Sequence, residues 1–142
     1  MAILNYTTKI SADKTVGEIQ SMLGKRGADS VSIQYQNSRP AAVMFDLKVG
    51  VNNVRFRLPC NVEGVLKAMQ NDRSIPRSSK TMEQAERTAW RIVKDWVEAQ
   101  LAIIEAGQAV MEEVFMPYAV SPDTGQTLFQ RFTANSQKLL GQ

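Results

Sequence analysis

Between residues 31 and 58 hydrophobic and polar positions alternate one for one. Val31, Ile33 and Tyr35 are separated by Ser32 and Gln34. Val43, Phe45, Leu47 and Val49 alternate with Met44, Asp46 and Lys48, and Val54, Phe56 and Leu58 with Arg55 and Arg57. A period of two, punctuated at Asn37 to Pro40 and at Gly50 to Asn53, predicts three antiparallel strands with one buried face. Arg55 and Arg57 then share the other face, where they either bind an anion or keep that face wet. Pro59 ends the third strand. Ile3 to Ile10 is expected to be a further strand, its Tyr and Thr suiting a pleated surface.

Around these strands the period changes to that of helices. Thr15 and Glu18 have the spacing of a capping box, which predicts a helix starting there and burying Val16, Ile19, Met22 and Leu23. Gly27 is placed to end it. Asn61 is expected to cap a short helix carrying Val62, Val65, Leu66 and Met69. Residues 71–79 form a polar, basic loop with the composition of a lid. Thr81 and Gln84 form another capping box and open the longest pattern in the chain. One apolar stripe there runs Ala85, Ala89, Ile92, Trp96, Ala99, Ile103, Gly107, Val110, Val114. A second runs Trp90, Val93, Val97, Leu101, Ile104.

A single stripe docks a helix on its own domain. Two stripes predict burial on two sides, the second against a copy of the same chain. Run on to Phe115, the helix is roughly 34 residues or about 50 Å long at 1.5 Å per residue. A compact domain of this size is under roughly 40 Å across. Either Gly107 bends the helix or a partner covers the projecting part. The charges along it run against the helix dipole, with Arg87, Arg91 and Lys94 early and Asp95, Glu98, Glu105, Glu112 and Glu113 later. Two antiparallel copies would match these ends; a bound anion at the basic half would serve as well. Pro117 stops the helix, Ser121 to Gly125 is a loop, and Thr127 to Leu140 is a shorter last helix carrying Leu128, Phe129, Phe132 and Leu139.

The expected fold is therefore α+β, a small and mostly antiparallel sheet with an N-terminal helix, then the long and the final helix. Residues 1–142 make one domain, with the sheet in residues 1–80 and an oligomerising helical half in residues 81–142. At 142 residues, 44% hydrophobic and 22% charged, the chain has the composition of a globular domain with a real core. No apolar run approaches the ~18 residues of a membrane span, and the first residues lack the pattern of a signal peptide. A cytoplasmic protein without membrane contact is expected.

There is no histidine and one cysteine, Cys60. One chain therefore holds no Cys/His zinc site and no Ser-His-Asp or Cys-His arrangement. No phosphate-binding loop or dinucleotide fingerprint occurs. The expectation is a non-enzyme with no catalytic residues, no metal and no cofactor. The net charge is +3, yet residues 55–94 hold nine basic and four acidic side chains, +5, leaving −2 elsewhere. This favours an anionic partner. Trp90 beside Arg91 is either core or a base-stacking and phosphate-binding pair. Arg131 between Phe129 and Phe132 either closes over a ligand or stands in solvent. Tyr118 has a polar tip suited to a pocket. The candidate ligand-binding residues are Trp90, Arg91, Phe129, Arg131, Arg55, Arg57 and Tyr118.

The segments ILNYTTKI, KTVGEIQSMLGKRGA, RFRLPCNVEGVL, AERTAWRIVKDWVEAQLAIIEAG, EVFMPY and GQTLFQRF resemble a family of small uncharacterised proteins of phages and prophages. The resemblance implies a phage accessory protein acting in the cytoplasm of an infected bacterium, in nucleic-acid handling or in counter-defence. A small sheet with long C-terminal helices is similar in architecture to the Thoeris anti-defence sponge proteins. That likeness implies a homo-oligomer that sequesters a cyclic nucleotide or cyclic ADP-ribose-type signal without cleaving it. Two alternatives stay open. One is a single-stranded nucleic-acid binder using Arg55, Arg57, Arg73, Arg77 and Lys80. The other is an anti-CRISPR-like inhibitor that binds a host defence enzyme.

Overall fold

The structure, a computed structural model, describes residues 2–139. It is α+β, with a three-stranded antiparallel sheet in the order β1-β2-β3. The strands are β1 (Ser30–Gln36), β2 (Arg39–Val49) and β3 (Asn52–Pro59). Asn37 and Ser38, both with positive φ, turn β1 into β2, so Arg39 and Pro40 belong to the strand rather than to the turn. Val43 pairs with Leu58 and Phe45 with Phe56, and all four are buried, as the alternation predicts.

Helix α1 (Ala12–Lys25) begins one turn earlier than expected. Ser11 caps it, its Oγ accepting from the Lys14 N–H at 3.1 Å. Thr15 is instead fully buried inside the helix. The helix ends at Gly27, φ +99°, where the Ala28 and Gly27 N–H groups donate to the Leu23 and Gly24 carbonyls. This six-to-one, five-to-two pattern satisfies the last turn and needs a left-handed residue. Asn61 caps α2 (Val62–Gln70) as expected.

Helix α3 (Met82–Glu105) is 24 residues long, capped by Thr81. It is about 36 Å long, which a domain of this size accommodates. Gly107, φ +75°, ends it with the same pattern as α1: Gln108 donates to Ile103 and Gly107 to Ile104. The expected continuation to Phe115 is thus a separate short helix, α4 (Met111–Phe115), followed by a 3-10 turn at Met116–Tyr118 and by α5 (Leu128–Leu139). The glycine broke the helix rather than bending it. Leu140 lies outside the described residues, as does the side chain of Leu139.

Ile3 to Ile10 is not a strand. Residues 4–7 form a turn, with Asn5 at φ +66°. Gln84 takes up the backbone a strand partner would have satisfied, its Nε2 donating to the Tyr6 and Thr8 carbonyls at 2.7 and 2.8 Å. The segment has strand propensity, but it pairs with no strand of the sheet.

Two buried clusters share α3. The main one joins Val16, Ile19 and Leu23 of α1, the inner face of β2 and β3, and Trp90, Val97 and Leu101 of α3. The second joins Met69 of α2, Ile75 and Ala85, with Ile3 and Tyr6 against them. The second stripe of α3 is therefore packed against its own chain, while the first is packed in part, through Ala85 and Trp96, and leaves Ala99 exposed. Ile75 also pins the basic loop, which is anchored rather than lid-like. A run of ring contacts crosses the main cluster. Phe56 stacks on Phe45 at 5.2 Å between centroids, Phe45 meets Phe115 at 5.3 Å, Phe115 meets Trp96 at 5.6 Å, and Trp96 meets Tyr118 at 5.7 Å.

Phe115 touches two of these rings and is fully buried. Phe115→Ala is expected to cost about 3–5 kcal/mol and to loosen residues 116–131 before the sheet, which urea unfolding and amide exchange would register.

Candidate binding site at the edge of the sheet

Beyond β3 the chain returns to the sheet. The Val120 N–H donates to the Arg55 carbonyl at 2.7 Å, Ala119 bridges to Phe56, and the Leu128 N–H donates to the Ala119 carbonyl at 2.7 Å. These bonds occupy the outer edge of β3 and start α5 beside it. Thr127 and Gln130 form a reciprocal capping box there: Gln130 N–H to Thr127 Oγ1 at 3.1 Å, Thr127 N–H to Gln130 Oε1 at 2.8 Å. Gln130 Oε1 also accepts from Arg57 Nη2 at 3.1 Å.

This bond draws four of the seven expected residues into one region. Arg57 reaches α5 at Gln130, and Phe129 and Arg131 are the residues on either side. Phe129 is 60% exposed and Arg131 is exposed. Arg55 lies two residues from Arg57 on the same wet face of β3. Its guanidinium is held by Asp46 across the strand pair, Nε to Oδ1 at 2.9 Å and Nη2 to Oδ2 at 3.2 Å. These hydrogen bonds, and the charge of Asp46 after them, keep Arg55 above its usual pKa. Both arginines point away from the core, as the alternation requires.

The other three residues sit elsewhere. Trp90 is fully buried in the main cluster, and its Nε1 has no hydrogen-bond partner among the described residues. A base has no access to its faces without opening the core. Arg91 turns toward α1, where it pairs with Glu18 and donates to Thr15 Oγ1 at 3.1 Å. Its neighbour in the helix, Asp95, accepts from Asn5 Nδ2 at 2.8 Å instead of pairing with it. Trp90 thus lies in the core and Arg91 in an ion pair, and the partners of Arg91 lie 73 and 76 positions away, out of reach of any local reading. Tyr118 is half-buried edge-on against Trp96, beside an apolar hollow of about 270 Å³ lined by Leu58, Pro59, Ile92, Val93 and Trp96.

The uneven charge of residues 55–94 is also dispersed. Arg87 donates to Gln84 Oε1, Lys94 pairs with Glu98, and Lys80 reaches the Gln70 carbonyl.

A cleft of about 590 Å³ lies where the sequence offers no signal. Arg39, Ala41, Cys60, Asn61, Glu63 and Glu86 are among its walls. Glu86 Oε2 is buried there with no hydrogen bond, 3.7 Å from Arg39 Nη1. Cys60 is a poor nucleophile in this setting. Burial first, and the charge of Glu86 second, push its pKa from 9.0 up to about 12. Among the described residues no group of three His, Cys, Asp or Glu side chains is placed to hold a metal ion. None of their helices is long and apolar enough to cross a membrane.

Arg91→Ala is expected to lower stability by about 1–3 kcal/mol, since it strips the buried Thr15 hydroxyl and Glu18 of their donor; chemical denaturation reads this. A thiol with a raised folded pKa contributes stability in full below the unfolded value and loses it as pH rises through the folded one. Between about pH 9 and 12, Cys60→Ala should therefore lose less stability than the parent. At pH 8 the native thiol should react with a disulfide reagent at least roughly tenfold more slowly than in urea. The chain matches no protein-family model, no curated protein and no solved structure.

Proposed function

We propose that this is a non-enzymatic binding protein that captures a small anionic nucleotide at the junction of β3 and α5. The single observation that carries the reading is the Arg57 to Gln130 hydrogen bond, which sets the half-buried Arg57 against α5 at the residue between the exposed Phe129 and Arg131. Guanidinium groups suit phosphate oxygens in a planar, two-point fashion. An exposed aromatic face suits a base. Arg55, held by Asp46, extends the cationic edge along β3. With no histidine in the chain and Cys60 held as a thiol, the reading is capture without cleavage. With the resemblance to phage and prophage proteins, we read that capture as counter-defence, the sequestration of a cyclic nucleotide or cyclic ADP-ribose-type immune signal.

A second reading draws on the wet face of the sheet, where Ser30, Ser32 and Gln34 of β1 and Asn53, Arg55 and Arg57 of β3 lie across three strands. An open polar face of this kind suits single-stranded nucleic acid.

Native mass spectrometry and titration calorimetry with cyclic dinucleotides, ADP-ribose derivatives and an oligonucleotide separate the two. Capture predicts an intact ligand mass, and a loss of affinity of about 1.5–3 kcal/mol, tenfold or more, in Arg57→Ala and in Arg131→Ala. Arg91→Ala binds as the parent does. Nucleic-acid binding predicts oligonucleotide affinity that falls steeply with salt. Silence toward both classes refutes the proposal.

A further inference from the structure

The cleft of about 590 Å³ beside Cys60 adjoins a second hollow of about 320 Å³. Arg39 and Glu86 line both, and Arg57 and Gln130 line neither. Glu86 is the unusual member. Its side chain is only 19% exposed, and Oε2 is shut off from solvent with no hydrogen bond among the described residues. A carboxylate taken out of water is costly unless it is both paired and hydrogen-bonded. Arg39 does half of this. Its Nη1 stands 3.7 Å from Oε2, beyond hydrogen-bond length, and its side chain is 49% exposed. A charge-assisted bond would close that gap to about 2.8 Å. Arg39 is held where it is as the first residue of β2, paired with Gln36 and followed by Pro40, which restricts its backbone.

The geometry points to this double hollow as a binding site for a small organic cation with two or more charged groups that carry N–H donors, ammonium or guanidinium, one of which donates to Glu86. The last torsion of a Glu side chain is broad, so a turn about it presents Oε2 to a donor in the cleft. The volume of the cleft falls in the range of about 300–1,000 Å³ usual for small-molecule sites. Gln36 and Asn37 on its wall offer amide oxygens to further N–H groups. The charges around it favour the same class of ligand. Glu63 lines the cleft, Asp13 and Glu83 line the second hollow, and all three are exposed. Arg87, the other base in the walls, is already engaged, its Nε and Nη2 donating to Gln84 Oε1 at 3.1 and 2.6 Å. Four carboxylates against two guanidiniums leave the double hollow negative within a chain of net charge +3. Such a field draws cations in. With Glu86 at the junction and other carboxylates to either side of it, a chain-like cation with spaced charges matches better than a single one.

Titration calorimetry of the full chain at low salt tests this with spermidine, agmatine and tetramethylammonium, the last a cation with no N–H to donate. Spermidine and agmatine are expected to saturate with a Kd of about 1 mM or tighter, and tetramethylammonium is not. Glu86→Gln keeps the shape and removes the charge. It should weaken both ligands about tenfold or more with unchanged circular dichroism. Arg39→Gln should tighten binding severalfold, because the guanidinium that competes for Glu86 is gone. Arg57→Ala should bind these cations as the parent does, and Glu86→Gln should bind nucleotide as the parent does, so failure of the nucleotide reading and failure of the cation site are told apart. No saturation at about 10 mM, equal affinity in Glu86→Gln, equal affinity for tetramethylammonium, or weaker binding by Arg39→Gln overturns the inference.

Discussion

The run of rings from Phe56 through Phe45, Phe115 and Trp96 to Tyr118 ties together elements that are otherwise far apart in the chain. It starts on the inner face of the sheet, passes through the short helix α4, touches α3 and finishes at the 3-10 turn. Edge-on and offset ring pairs add about 0.5–1.5 kcal/mol each beyond the area they bury. More important is where they put the backbone. With Phe115 seated between Phe45 and Trp96, the turn at Met116–Tyr118 lies against β3. Only then do Ala119 and Val120 reach the strand edge. The position of α5, and with it the whole candidate site, follows from that seating.

The closure of the β3 edge has a second effect. An open strand edge is a template for unwanted pairing, and residues 119–127 remove it. In doing so they fix the direction in which α5 leaves. The Thr127 and Gln130 capping box and the bond from Arg57 hold the first turn of the helix by its polar side. Leu128, Phe129 and Phe132 are left on the outside. The surface exposed here therefore traces back to a helix oriented by hydrogen bonds rather than by burial of its apolar face.

Much of the architecture was legible in the residues. The alternation from Val31 to Leu58 specified three strands and their buried face, and with it the outward direction of Arg55 and Arg57. Asn61, Thr81, Gly27 and Gly107 marked ends of helices, although Gly107 stopped α3 instead of bending it. Ser11 caps α1 without a Glu or Gln three residues on, while Thr15 and Glu18 carry that spacing one turn later inside the helix. Thr15 turned out to be buried against Arg91, a use that spacing does not reveal. The segment from Ile3 to Ile10 had strand propensity, yet it forms a turn that Gln84 holds through the Tyr6 and Thr8 carbonyls. Of the candidate ligand residues, the structure brings Arg57 to α5 beside Phe129 and Arg131, whereas it buries Trp90 in the core and pairs Arg91 with Glu18. The cleft at Arg39, Cys60 and Glu86 gave no signal, because its walls come from the hairpin, the start of α2 and the first turns of α3.

By itself the sequence determined what acts locally: the periods of strands and helices, the caps and the left-handed glycines, and the absence of a histidine. Those depend on neighbours within a few positions, so spacing is enough to read them. Only the tertiary structure decided which faces met. The second stripe of α3 found partners in its own chain, the basic residues of α3 were matched by Gln84, Glu18 and Glu98, and α5 kept an apolar face uncovered. Pairing of that kind joins residues tens of positions apart, and its free energy comes from water released when surfaces meet, which no local pattern encodes.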